Sequence, residues 1–220
     1  MEKVLQFLEN LSENNNKEWF HDHRKQYEEC RNKVLFVTEV LINEIRKFDT
    51  DIPAMDPKDC MFRIFRDVRF SNNKSPYKTN FGSFIAKGGR KSILAGYYFH
   101  IEPGSCFAGG GLYMPQPEQL KAMRLHIATY GQEFLDIIND KKFARIYPEI
   151  YGDKLKTIPK GFDKENEFAD LLRYKSFVFS TDIKQQTISG GALVDYLVNA
   201  FYTLHNVNRF INQGLRSAAE

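Results

Sequence analysis

Along the first fifty residues the apolar positions recur every three to four places, the period of a helix with one face in a core. Leu5, Leu8 and Leu11 mark a first helix. The turn-rich run SENNN breaks it, and Asn16 is placed to cap a second, in which Trp19, His23, Tyr27 and Cys30 carry the same spacing. That helix, or a third running on from it, extends through Val34, Val37, Leu41 and Ile45. Two prolines between Asp51 and Lys58 end the helical region.

From Cys60 to Leu112 the pattern changes to short aromatic and β-branched runs, which predict strands near 61–70, 81–86, 94–102 and 105–112. SNNKSP and KGGRKS read as loops, and Pro103-Gly104 as a tight turn. After YMPQP the helical period returns. Pro117 suits a first helical position, and Leu120, Met123, Ile127 and Tyr130 follow it at helical spacing. Further helices are expected at 131–145, 163–174 and 189–214, and Phe177 to Phe179 is a candidate for one more strand. Runs of strands followed by runs of helices, without βαβ alternation, predict an α+β fold: an antiparallel sheet packed with N-terminal and C-terminal helices. With no repeat and no low-complexity linker, residues 1–220 read as a single domain.

Composition leaves that picture in place. Hydrophobic residues make up 42% and charged residues 27%, ordinary for a globular protein. MEKVLQFLEN lacks the layout of a secretory signal, and no apolar run reaches the roughly 20 residues that span a bilayer. Cys30, Cys60 and Cys106 are odd in number and widely spaced, which suits reduced thiols. The expectation is a cytoplasmic protein with no membrane partner.

Charge distribution adds more. Residues 63–91 hold eight Lys or Arg and one acid, Asp67, a net +7 in a chain whose total is +3, so the remainder is −4. That asymmetry points to a local anion site rather than a uniformly basic coat; a solvated basic hairpin is the plain alternative. In a strand, Arg66 would share a face with Ile64 and Val68, where a guanidinium needs a carboxylate, a phosphate or several acceptors. On the other face Asp67 can orient Arg63 and Arg69. The loop after Arg69 supplies Lys74, Tyr77 and Lys78. It lacks G-x-x-x-x-G-K-[ST], and no G-x-G-x-x-G unit is present, so no nucleotide fingerprint and no cofactor is assigned.

A second set of candidates lies around the Pro103-Gly104 turn. As a two-residue hairpin it would set Tyr97 and Tyr98 across from Gly110 and Gly109. Gly109, Gly110 and Gly111 then either let a ligand approach the backbone or are covered by the tyrosine rings. His100 and Glu102, two apart on one strand face, form a weak candidate acid–base pair. Two groups do not make a metal site, a third ligand would have to come from His126, His205 or a distant carboxylate, and no metal is assigned. Arg124, on the following helix, could close over the basic face. No nucleophile signature is present, so no reaction is assigned.

The blocks NNNKEWF, RIFRDVRFSNNKSPYKTNFG, GYYFHIEPG with GGGLYMPQPEQLKAMR, and IPKGFDKENEFADLLRYKSF resemble successive segments of the bacterial and fungal family called domain of unknown function 2461, over roughly Val4 to Leu215. The resemblance implies one compact cytosolic domain and carries over no activity and no catalytic residues. Two functions remain open. One is the binding of a small phosphorylated or carboxylated ligand through Arg63, Arg66, Arg69, Lys74 and Lys78. The other is a nucleic-acid module that uses the same basic surface with Phe65 and Tyr77 as stacking platforms.

Overall fold

In the computed structural model, which describes residues 1–217, the chain begins with α1 (Glu2–Glu13), α2 (Lys17–Asp22), α3 (Arg24–Ile45) and a single turn, α4 (Pro57–Cys60). Strands β1 (Phe81–Ile85), β2 (Gly96–Ile101) and β3 (Phe107–Leu112) follow. Then come α5 (Pro117–Ile138), α6 (Lys141–Ile146), α7 (Ala169–Leu172), β4 (Phe177–Asp182), α8 (Gln185–Ser189) and α9 (Leu193–Ser217). The four strands make one antiparallel sheet in chain order, and the fold class is α+β. Contacts divide the chain into two compact units. The first holds residues 1–91, 98–108 and 182–199; the second holds 92–97, 109–181 and 200 onward.

The first unit is built on its helices. Val4, Leu8 and Leu11 of α1 and Val34, Leu41 and Ile45 of α3 are fully buried, as their spacing requires. Asn16 caps α2 by accepting from the Trp19 amide at 2.9 Å. The buried Thr38 hydroxyl of α3 donates to Val34 O at 2.9 Å and lies 3.2 Å from Ser83 Oγ of β1, from which it can accept. Along β2, Phe99 and Ile101 are fully buried while Tyr98 and His100 are half-buried, the alternation of a strand with one face in the core. Pro103-Gly104 makes the expected turn: Gly104 has φ +74° and the Ser105 amide donates to Glu102 O at 3.1 Å.

Residues 61–70 depart from the strand that their composition predicts. Only two isolated antiparallel bridges form, Met61 with Ser83 and Phe65 with Tyr77. Three residues separate the bridges on one side and five, Lys78 to Gly82, on the other, so the returning segment carries two residues more than its partner. A regular ladder cannot absorb them, and the segment bulges. Pro76 adds to this by having no amide to donate. The buried apolar positions are consequently Met61 and Ile64, three apart, while Phe62 and Phe65 are exposed.

The second unit has an aromatic core of Phe134, Phe143, Tyr147, Phe177, Phe179, Phe201 and Phe210. Asn208 of α9 donates to Gly96 O, and Asn212 exchanges two hydrogen bonds with the Ala95 backbone. The helices expected at 117–130 and 131–145 join into α5, with a non-helical Tyr130 (φ −120°, ψ 24°) marking the seam, and α6 follows. Residues 163–174 form only the short α7. Among the described residues no helix is long and apolar enough to cross a membrane.

Candidate functional site

The bulge in the returning segment shapes a cleft in the first unit. It is open to solvent, has a volume of about 490 Å³ and is lined by Arg66, Asp67, Lys78, Thr79, Asn80 and Glu102. Five of these residues come from the basic block and its loop, and Glu102 arrives at the end of β2. Thr79 and Asn80 line the cleft because they belong to the five-residue side of the mismatch, where a regular hairpin would have paired them.

One wall is cationic. Lys78 is half-buried, its ammonium 5.5 Å from the centre of the Phe62 ring. Its pKa lies below the usual lysine range, first because of burial and then because the Arg63 and Arg66 guanidiniums stand near it. Arg66 reaches Ser71 Oγ at 3.5 Å, the limit of a hydrogen bond. Among the described residues no carboxylate oxygen lies within 4.0 Å of Arg66 or Lys78. The expected place of Arg66 on a core face with Ile64 and Val68 is therefore corrected: it is half-buried and has no acid partner among the described residues. Without a regular strand its side chain does not follow Ile64 inward, and it opens on the cleft instead.

Arg69 and Lys74 are held by the protein itself. Asp67 clamps Arg69 with two bonds, Nε to Oδ1 at 3.0 Å and Nη2 to Oδ2 at 2.7 Å. The Arg69 hydrogen bonds hold the Asp67 carboxyl below the usual carboxylate range. Both residues are exposed. Lys74 donates to Val68 O at 3.1 Å and so ties the loop, and Arg63 is exposed beside the cleft. Tyr77 is buried, stacked on Phe20 at 3.9 Å, and its backbone exchanges two hydrogen bonds with Asn15.

The rest of the lining leads into a hydrogen-bonded row. Thr79 donates to Glu102 Oε1 at 2.8 Å, His100 Nε2 lies 3.1 Å from Glu102 Oε2, and Tyr98 Oη lies 2.9 Å from His100 Nδ1. With Glu102 ionised, one tautomer satisfies the row: Nε2–H donates to the carboxylate and Nδ1 accepts from the Tyr98 hydroxyl. Period two along β2 puts Tyr98, His100 and Glu102 on one face. The imidazole stacks on Phe107 at 4.8 Å and its side chain is 12% exposed, while that of Glu102 is 30% exposed. Gly82 makes room for Tyr98, since a Cβ there would strike the phenol oxygen.

Gly109, Gly110, Gly111 and Arg124 belong to the second unit and are accounted for there. What lies against the three glycines is the chain itself: Phe179 O, Gly96 O with Leu204, and Phe177 O. The glycine beneath Tyr98 is Gly82, not Gly109. The five residues between β2 and β3 replace the two-residue hairpin that would have paired them. Arg124 Nη2 donates to Tyr174 O at 3.1 Å, while its Nε is buried without a protein partner. His205 is 3.2 Å from the Tyr97 hydroxyl in the same unit. Among the described residues no three His, Cys, Asp or Glu side chains are grouped closely enough to hold a metal ion.

Arg66, Asp67, Lys78 and Glu102, all named from the sequence, thus line one cleft, and His100 is bonded to Glu102 behind it. Thr79, Asn80, Tyr98 as a partner of His100, and Gly82 were not foreseen. For Tyr98 the signal was available, in the same two-residue period that joined His100 to Glu102. For Thr79 and Asn80 there was none, because the bulge arises only from the pairing of two segments. A smaller hollow of about 310 Å³ lies among Pro53, Met55, Asp59 and Gly88 to Lys91, where Arg90 already donates to Lys58 O at 2.7 Å.

A family model described as a conserved hypothetical protein (DUF2461) matches residues 3–210. No curated protein and no solved structure matches the chain.

Proposed function

The chain belongs to the DUF2461 family, whose description names no activity, and from the cleft alone we propose that it binds a small phosphorylated or carboxylated ligand. Arg66 and Lys78 hold the anionic group, with Arg63 flanking. The observation that carries this reading is the absence of a carboxylate within 4.0 Å of either side chain among the described residues, although both are half-buried. Clustered, partly desolvated cations repel one another, and a bound anion relieves that repulsion. The volume of about 490 Å³ is in the range of small-molecule sites.

Thermal unfolding with inorganic phosphate, phosphate esters and small carboxylic acids tests the reading. A ligand that binds only the folded state raises the midpoint, and the rise is expected to disappear in Arg66→Ala with Lys78→Ala. No shift across the panel overturns the proposal. The nucleic-acid alternative is weakened because one of its two stacking platforms, Tyr77, is buried against Phe20. Tight oligonucleotide binding, with a log–log salt slope near about −4, would replace the small-ligand reading, since that slope reports about five neutralised phosphates.

A further inference from the structure

We propose that the ligand is a hydroxyl-bearing anion, the chemistry of sugar phosphates and sugar acids, and that Glu102 selects it by accepting hydrogen bonds from its hydroxyls. The inference rests on the anion site proposed above and adds the second half of the ligand. Its basis is the joint lining of one cleft by two kinds of group. Arg66 and Lys78 offer only donors, whereas Glu102 offers only acceptors while ionised.

Glu102 is not neutralised by the protein. Among the described residues no Lys or Arg nitrogen comes within 4.0 Å of it, and its one ion-pair contact is with His100. An ionised carboxylate has about four acceptor positions. Thr79 Oγ1 and His100 Nε2 use one on each oxygen, at 2.8 and 3.1 Å, which leaves acceptor capacity on both oxygens toward the cleft. A ligand that covered Glu102 with apolar surface would strip its water without replacement, and a second anionic group there would be repelled. A hydroxyl replaces the lost water. Asn80 adds both an amide donor and a carbonyl acceptor to the same lining.

The row behind Glu102 makes it a fixed acceptor rather than a mobile surface acid. His100 has both ring nitrogens engaged and its face against Phe107. Tyr98 in turn is seated over Gly82 with the edge of Phe62 against its ring, at 6.2 Å and 69°. Tyr98 and His100 are accordingly positioning residues, and Glu102 is the residue that meets the ligand. Sites that hold a ligand hydroxyl by a preorganised charged acceptor discriminate strongly against the analogue that lacks it.

Matched probe pairs test this by titration calorimetry on the full chain: methyl phosphate against glycerol 3-phosphate, and acetate against glycerate. The pair that responds also tells whether the anionic group is phosphate or carboxylate. The hydroxylated member of one pair is expected to bind at least about tenfold tighter, the worth of a hydrogen bond to a charged group. In Glu102→Gln the ratio should fall toward one while the simple anion still binds. Tyr98→Phe, which keeps the ring, should lower the ratio partway without changing methyl phosphate or acetate binding. Thr79→Val serves as a second variant with the carboxylate intact, and the same partial loss is expected. Equal affinity within both pairs for the unaltered protein, or a ratio unchanged in Glu102→Gln, overturns the selection and leaves the anion site standing. If no probe binds, the anion site falls and the selection falls with it.

Discussion

Two lysines, one in each unit, show how differently the same side chain is used. Lys154, in the second unit, pairs with Asp170 and lies 4.4 Å from the centre of the Tyr174 ring. Its pKa is raised, first of all by the hydrogen bond to Asp170. Arg173 shares that carboxylate at 3.6 Å and spends its Nε on Leu155 O at 2.7 Å. In the first unit Lys78 is shifted the other way, by burial and by two guanidiniums. The lesson is that basic residues mark a binding surface only where the fold withholds their partners. In the second unit Lys154 and Arg173 are paired within their own loops, whereas among the described residues Lys78 has no carboxylate within 4.0 Å.

The largest expected effect breaks that comparison at its tightest point. In the second unit a methyl group at Gly110 would run into Gly96 O and the Leu204 side chain, both fixed by strand and helix packing. Gly110→Ala is therefore expected to cost about 3 kcal/mol, at the upper end for overpacking. Asn80→Ala, at the open cleft, is expected to stay within about 0.5 kcal/mol of the parent. Urea unfolding of both variants checks the contrast. A Gly110→Ala protein as stable as the parent would mean that the second unit is less tightly packed than its glycines indicate.

What could be read from the sequence follows the same division. Helices α1, α3 and α9 and strands β1, β2 and β3 were legible because their apolar period is set by neighbours within each element. Cleft chemistry was partly legible for the same reason: Arg66, Asp67, Lys78, His100 and Glu102 stand out as residue types in short, periodic runs. The position of Arg66 was misread because the alternation argument assumed a ladder from 61 to 70, and only Met61 and Phe65 form bridges there. The bulge depends on which residue of one segment meets which of the other, and local pattern carries no information about that register. Gly109 to Gly111 were legible as places of close approach. What approaches them, a backbone carbonyl in each case and the Leu204 side chain as well at Gly110, was not.

A smaller effect sharpens the comparison between the two lysines. Lys154→Gln should lower stability by about 0.5 kcal/mol, the usual worth of a partly exposed ion pair. Lys78→Gln should not lower it in the absence of ligand, since the change removes one member of a repelling cluster, and it should abolish phosphate binding. Chemical denaturation measures the first pair of values and calorimetry the last. A Lys78→Gln protein that is clearly less stable than the parent would show that the ammonium is satisfied within the fold, and the cleft would then resemble the loops of the second unit.

The smallest effect is a pH dependence with opposite signs at the two sites. For Lys154 the folded-state pKa lies above the unfolded one, so its contribution is complete below the unfolded value of about 10.4 and fades as pH rises through the folded one. For Lys78 the folded-state pKa lies below the unfolded one. Folding then carries a cost while the ammonium is charged, and that cost is relieved as pH rises through the folded pKa toward about 10.4. Across the alkaline range, therefore, the stability gap between parent and Lys154→Gln should close by the loss of a favourable pair. The gap between parent and Lys78→Gln should close by the loss of an unfavourable charge. A bound phosphate opposes the second change, because an anion beside Lys78 favours the charged form and moves its pKa back up. Following the Lys78 side-chain resonance by NMR from neutral to alkaline pH, with and without phosphate, reads this directly. An upward displacement of the titration by phosphate is the expected result, and a titration that ignores phosphate would place the anion somewhere other than this cleft.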